Sequence, residues 1–291
     1  MRAILACLAL SVFAFSASAA PYPHPGVVTA DPPADKANPA KMEVAQIDSH
    51  GSKMNAVLYL ASGAGPHPTL VLFHGFPGNE QNLDLAQAVR RAGFNVLTLH
   101  YRGSWGSPGT FSFAHVLEDA DAAVAFVRDP AHAKDYRIDR ERIFVAGHSM
   151  GGFAAGWAVG HAKEVKGLVM ISGADMGSVT PDLVKGDQRK EWEEDIIPLV
   201  GCTVDGLIAE AQANTATWKF QSWVPLLKDR PALLISSNDG LQPSAEALAG
   251  ALRKAGDADV QTRHFDTDHP YSDKRLALTS TVVDWLSDHA K

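Results

Sequence analysis

The sequence predicts an α/β protein with one mostly parallel central sheet and helices on both faces. Two observations carry this. Short apolar runs alternate with amphipathic stretches from residue 42 almost to the last residue. One of those runs, Ile143 to Ala146, passes straight into Gly147-His148-Ser149-Met150-Gly151, and beyond it Gly151, Ala154, Ala155 and Ala158 share one side of a helical stretch. A strand, a glycine-flanked serine and a small-faced helix form the context in which a G-x-S-x-G pattern exposes its serine on a tight, strained turn. The plain alternative is a strand-to-helix turn with a capping serine.

The elements follow in order. Arg2, the apolar run Ala3 to Phe15 and Ala17-x-Ala19 read as an export signal occupying residues 1–19. The run is short for a membrane span, so no stable membrane anchor is expected. Cleavage would remove Cys7 and leave Cys202 alone, excluding an internal disulfide. Residues 20–41 hold six prolines and read as an extended linker. Glu43–Asp48 and Asn55–Leu60 fit antiparallel strands, the second alternating Ala56, Leu58 and Leu60 on one face. Thr69–His74 reads as a buried strand ending in His74-Gly75-Phe76-Pro77-Gly78. An amphipathic helix through Leu85, Ala88, Val89 and Ala92 stops at Gly93.

The strand Phe94–Leu99 leads into a Gly- and Ser-rich loop, His100 to Gly109. Val116, Ala120, Ala123, Val124 and Val127 give a helical face ending before Pro130. The strand Val165–Ser172 follows the serine turn. Residues 174–227 break the rhythm with a charged stretch, Gln188 to Asp195, and with Trp192, Trp218 and Trp223. They read as a helical cap over the site or as a solvated face. The strand Ala232–Ser236, a helix through Leu248 and Leu252, the strand Val260–Phe265 and a helix through Leu278, Val282, Trp285 and Leu286 complete the chain.

At 291 residues the chain suffices for one large domain with a sizeable core. Its formal net charge of −7 argues against a nucleic-acid partner, because phosphate binding needs basic patches. No metal-ligand cluster and no cofactor signature stands out.

A serine hydroxyl needs a base to take its proton and an acid to orient that base. Asp239 follows the strand Ala232–Ser236 and His269 follows the strand Val260–Phe265, so both fall at the carboxyl edge of the sheet with Ser149. Asp268 adjoins His269, but neighbouring side chains on one loop diverge. Asp239, on the next strand end, can approach from the far side of the ring. The other histidines fit less well. His264 lies in a strand, His161 ends the serine helix, His132 and His289 read as surface residues, and His148 is too close to Ser149 to act as its base. The backbone N–H groups of Phe76 and Met150 are the candidate oxyanion donors, since Pro77 has none. His74 reads as a brace for its loop.

These residues, His74 to Gly78, Tyr101-Arg102-Gly103, Gly147 to Gly152, Asp239 and Asp268-His269, make residues 42–290 resemble an α/β hydrolase of the serine esterase and peptidase type. The Tyr101-Arg102-Gly103 loop resembles prolyl-oligopeptidase-like catalytic domains, while His148-Ser149-Met150 is closer to esterases and lipases. The resemblance implies an α/β-hydrolase domain over residues 42–291 with a cap insertion at 174–227. The implied catalytic set is Ser149, Asp239 and His269, with Phe76 and Met150 as the oxyanion hole. Cleavage of carboxylic esters through an acyl-enzyme is the expected activity, on a small-molecule ester in the periplasm or outside the cell. The alternatives are a peptidase or amidase acting on short peptides and a non-catalytic binding protein on the same fold.

Overall fold

The computed structural model describes residues 26–291, so the expected export signal lies outside the described residues. A single turn, α1 (Gly26–Thr29), precedes a hairpin of β1 (Lys41–Ser49) and β2 (Ser52–Leu60). The hairpin closes through His50 and Gly51, both at positive φ, the backbone that a two-residue turn between twisted strands demands. Next come β3 (His67–Phe73), α2 (Leu83–Arg91), β4 (Asn95–Leu99), α3 (Phe113–Arg128) and α4 (Pro130–Asp135). The serine turn joins β5 (Ile138–His148) to α5 (Met150–His161), and β6 (Val165–Ile171) follows. The insertion carries α6 (Asp187–Asp195), α7 (Val204–Ala213), α8 (Thr215–Trp218) and α9 (Val224–Leu227). Finally, β7 (Ala232–Ser236), α10 (Gln242–Lys254), β8 (Val260–His264) and α11 (Arg275–His289) restore the strand–helix alternation.

The eight strands form one sheet in the order β1-β2-β4-β3-β5-β6-β7-β8. The pairs β1–β2 and β2–β4 are antiparallel, and all others are parallel. The inner strands are apolar without alternation because both faces are covered. Val71 and Phe73 of β3, with Ile143 and Val145 of β5, enter the core beneath α3 and α5. Leu70 and Leu72, with Phe144 and Ala146, enter the opposite core beneath α2 and α11.

Several sequence expectations need correction. The 20–41 stretch is not a free linker in its described part. Val27 is buried against α2 and α11, and Arg91 Nε donates to its carbonyl at 2.6 Å. Nor is His289 a free surface residue. Its ring stacks on Trp285, and its Nε2 meets Asp259 at 3.0 Å, tying α11 to the residue before β8. His132 stays partly exposed but stacks on Phe126.

The insertion is two things rather than one. Outside α6 it joins the main core, through Met176, Val179, Val184 and Leu199 and then through Leu207, Ile208, Ala211, Trp218, Phe220, Trp223 and Leu227. By contrast, α6 buries no residue. The insertion also completes the rest of the fold. The Val200 backbone exchanges hydrogen bonds with Gly103 and Phe111, both at 2.8 Å. Glu210 accepts from the N–H groups of Phe113 and Ala114 at 2.8 and 3.1 Å, so a carboxylate from α7 covers the open first turn of α3. Glu210→Ala is expected to lower unfolding stability by about 1–2 kcal/mol. An unchanged midpoint in urea denaturation would show that this contact contributes nothing.

Candidate active site

Ser149 sits between β5 and α5 at φ 58°, ψ −123°, a region that costs a non-glycine residue about 1–3 kcal/mol. Its side chain makes no capping bond to α5, so the hydroxyl is not used as a helix cap. The turn is held by Ser149 N–H on the Ile171 carbonyl and by Gly152 and Ala174 N–H on the Ser149 carbonyl, all at 2.9 Å. Glycines are required here by contact. A Cβ on Gly147 would lie 1.9 Å from the Gly151 carbonyl oxygen, and one on Gly151 would lie 2.2 Å from that of Phe73. The same closeness brings the loop after β3 against the serine. A Cβ on Gly75 would stand 2.9 Å from Ser149 Cβ and 3.5 Å from its Oγ.

That loop is oriented by His74, which is buried and whose Nδ1–H donates to the Gly75 carbonyl at 2.7 Å. Burial lowers the His74 pKa to about 4, so the ring stays neutral. In a trans peptide the C=O and the following N–H point in opposite directions. Fixing the Gly75 carbonyl on His74 therefore turns the Phe76 N–H to the far side of the loop. Tyr101 Oη donates to the His74 carbonyl at 3.1 Å and secures the loop from below. Tyr101-Arg102-Gly103 is thus a structural support. Arg102 Nε and N–H, and the Ser49 hydroxyl, all bind the fully buried Asp119 carboxylate at 2.6–2.8 Å. The Met150 N–H lies at the start of α5, where the helix dipole favours negative charge.

His269 and Asp239 meet as a pair, Nδ1 to Oδ2 at 2.8 Å. Asp268 does not take part in this pair. Its carboxylate accepts from the Ser272 N–H at 2.7 Å and shapes the loop. Burial pushes the Asp239 carboxyl up. Hydrogen bonds from His269, Ser172, the Leu241 N–H and Ser237 outweigh it and hold the group well below the usual carboxylate range. Behind Asp239, Ser237 Oγ lies 3.1 Å from Ser172 Oγ, which lies 2.8 Å from Tyr271 Oη. Burial raises the Tyr271 pKa to about 12, so it remains a phenol able to donate. No hydrogen bond joins Ser149 Oγ to His269 among the described residues. Such contacts often close only once substrate is bound.

Two contributors escaped the sequence reading. His148 stands too close to Ser149 along the chain to act as its base, yet its Nε2–H donates to the His269 carbonyl at 3.0 Å, with ring centroids 4.5 Å apart. Burial and the nearby His269 charge lower its pKa to about 3, so it keeps one directed N–H across the physiological range. Its place beside Ser149 was the available signal. Tyr271, two residues past His269, was the other, and nothing in its spacing marks it. On the loop after β3, Trp192 of α6 packs on Phe76 with ring centroids 5.2 Å apart, and Phe111 and Phe113 complete an aromatic group. Among the described residues no cluster of three or more His, Cys, Asp or Glu could hold a metal ion.

Asp239→Asn is expected to lower kcat about 10³–10⁴-fold by favouring the wrong imidazole tautomer, while Asp268→Asn costs about tenfold or less. The measurement is kcat on one activated ester with both variants shown to be folded. A greater loss in Asp268→Asn would overturn the assignment of Asp239.

Comparison with known proteins supports the fold. Residues 64–185 match the family model described as serine aminopeptidase, S33. A search of curated proteins finds no match. Among solved structures, the Pyrobaculum calidifontis esterase is 20% identical at a TM-score of 0.65, with 87% of each chain covered. EstE1, a thermostable carboxylesterase cloned from a metagenomic library, is 21% identical at 0.63, covering 87% of this chain and 91% of that one. The acylaminoacyl peptidase of Pyrococcus horikoshii is 16% identical at 0.63, covering 87% of this chain but 42% of that one. The chain has the fold of the α/β hydrolases and is similar to the S33 serine aminopeptidases over residues 64–185.

Proposed function

We propose that this protein is a serine hydrolase that cleaves small carboxylic esters through an acyl-enzyme. The observation that carries the reading is the strained Ser149 at the carboxyl edge of the sheet, with the His269–Asp239 pair on the same edge. Ser149 Oγ attacks the ester carbonyl as its proton passes to His269 Nε2. Asp239 keeps the ring in the Nδ1–H tautomer and supports the imidazolium that forms. The N–H groups of Phe76 and Met150 receive the oxyanion. Collapse expels the alcohol, which takes its proton from His269. Water, deprotonated by the same base, then releases the acid and frees Ser149.

An ester rather than a peptide is favoured by the half-buried aromatic group of Phe76 and Trp192 beside the oxyanion loop and by the esterases among the structural neighbours. The peptidase reading draws on the family match and on the acylaminoacyl peptidase neighbour. A fluorophosphonate probe is expected to label Ser149, and Ser149→Ala to lose both labelling and ester turnover. An unlabelled, folded protein would instead support a binding function. Comparing kcat/KM for p-nitrophenyl esters and aminoacyl p-nitroanilides separates the two enzyme readings, and a higher value on the anilides would reject the esterase.

Export to the periplasm or beyond is part of the same proposal, resting on Arg2, the apolar run and Ala17-x-Ala19. The mature chain is expected to begin at or near Ala20. Mass spectrometry of exported material that still carries Arg2 would refute this.

A further inference from the structure

One oxygen of Asp239 is shared between two donors. Oδ2 accepts from His269 Nδ1–H and from the Ser237 hydroxyl, each at 2.8 Å, while Oδ1 takes the Leu241 N–H at 2.9 Å. The Ser237 hydroxyl belongs to a longer series. Its Oγ lies 3.1 Å from Ser172 Oγ, which lies 2.8 Å from Tyr271 Oη. Each hydroxyl has one proton to give. Ser237 gives its proton to the carboxylate, so it accepts from Ser172, and Ser172 in turn accepts from Tyr271. All three protons therefore point towards Asp239. Tyr271 lies two residues after His269. The loop that carries the base thus reaches the same carboxylate oxygen twice, once through the imidazole and once through the hydroxyls.

Burial and backbone both hold this series in place. Ser172 is 1% exposed, and Ser237 and Tyr271 are 0% exposed, so bulk water does not compete for their hydroxyls. Ser172 and Tyr271 keep left-handed backbone, φ 44° and φ 59°, which non-glycine residues adopt rarely. Strain of this kind gathers at functional sites. The Ser172 N–H is fixed on the Ile235 carbonyl at 2.8 Å and the Tyr271 N–H on the Asp268 carbonyl at 3.1 Å. Hydroxyls linked in a buried series polarise one another, so Ser237 is a stronger donor to Oδ2 than a lone serine would be.

A second donor on Oδ2 draws charge from the oxygen that holds the imidazole. The other titratable groups around His269 are occupied otherwise. His148, at the end of β5, stays neutral. Asp268 is turned onto the Ser272 N–H, and Arg275, at the start of α11, is paired with Asp84. We propose that Tyr271, Ser172 and Ser237 are positioning residues that fix Asp239 and moderate its grip on the His269 Nδ1–H. Their bearing on turnover rests on the serine hydrolase reading. A moderated grip supports the imidazolium less, so the free base that takes the Ser149 proton persists to lower pH.

Proton NMR of the resting, histidine-¹⁵N-labelled protein tests this without turnover. The His269 Nδ1–H resonance is assigned by its loss in His269→Gln. Removing a competing donor strengthens the remaining hydrogen bond, so the resonance should move downfield in Tyr271→Phe and further in Ser172→Ala and Ser237→Ala. Turnover of an activated ester supplies the second readout. The acid limb of the kcat/KM profile should move up by about 0.5 pH unit or more in Ser172→Ala and Ser237→Ala, and less in Tyr271→Phe. Tyr271→Phe keeps the ring and its packing, so it carries the test alone should the serine variants fail to fold. An unmoved or upfield resonance in folded Tyr271→Phe would overturn the proposal. So would an acid limb that stays in place while only the plateau falls, the result of a purely structural role. A downfield shift in a protein without esterase activity would reject the hydrolase reading and leave the sharing of Oδ2 supported.

Discussion

The contact on which the site depends is the near-touching of three backbones: the end of β3, the end of β5 and the first turn of α5. A methyl group at Gly147 or Gly151 would sit inside the van der Waals radius of a carbonyl oxygen. This packing holds Ser149 in a conformation that a free serine avoids, and the surrounding sheet supplies the stability that offsets it. It also determines where the loop after β3 can lie. Because Gly75 rests on Ser149, the loop after β3 is brought against the serine turn by backbone packing, before any side chain is chosen. The side chains then refine the direction. His74 turns the Gly75 carbonyl and Tyr101 holds the His74 carbonyl, and both remain in fixed protonation states because they are buried.

His269 depends on a second, electrostatic arrangement. Its ring is held from one side by an ionised Asp239 and its backbone from another by a neutral His148. These roles require opposite environments. Asp239 must keep its charge in spite of burial, and four hydrogen-bond donors achieve that. In the proposed hydrolase His148 must not gain one, since a second cation with its ring 4.5 Å from that of His269 would oppose an imidazolium there. Burial alone enforces this. Two titratable groups pushed apart in pKa around a third is a pattern of acid–base sites.

Much of this was legible in the sequence because the information is local. The Ile143–Gly152 run encodes strand, turn and helix in consecutive residues, and the parallel strands announce themselves as apolar runs. The choice of Asp239 over Asp268 followed from strand order and the geometry of adjacent side chains. What was not legible depends on pairs far apart in the chain. His148 meets the carbonyl of His269 across 121 positions, and Ser172 meets Tyr271 across 99. No periodicity records such a pairing. The prolines around Val27 read as a linker, and its burial is decided by a face of α2 and α11 that composition does not describe. The insertion reads as one unit because it breaks the rhythm as one unit. Its aromatic residues divide it, with Trp218 and Trp223 entering the core and Trp192 reaching over the loop of Phe76.

That division bears on where rigidity and selectivity reside. Outside α6 the insertion shares the main core, and its α7 caps α3, so that part cannot move without unfolding part of the domain. α6 is different. It is polar on all sides and is tied to α7 by the exposed Arg189–Asp205 pair, an interaction worth little in water. What fixes it over the site is Trp192 on Phe76 and Phe113. A helix with one aromatic anchor and no buried face belongs to the least stable part of a structure, the part able to open locally at small cost. Ser149 and the loop after β3 stand on the sheet edge, where their geometry is set by backbone packing. The surface nearest Phe76 stands on the element held most weakly. In the proposed hydrolase, the chemistry is therefore fixed by the fold, and the substrate range depends chiefly on how the single Trp192 anchor is seated.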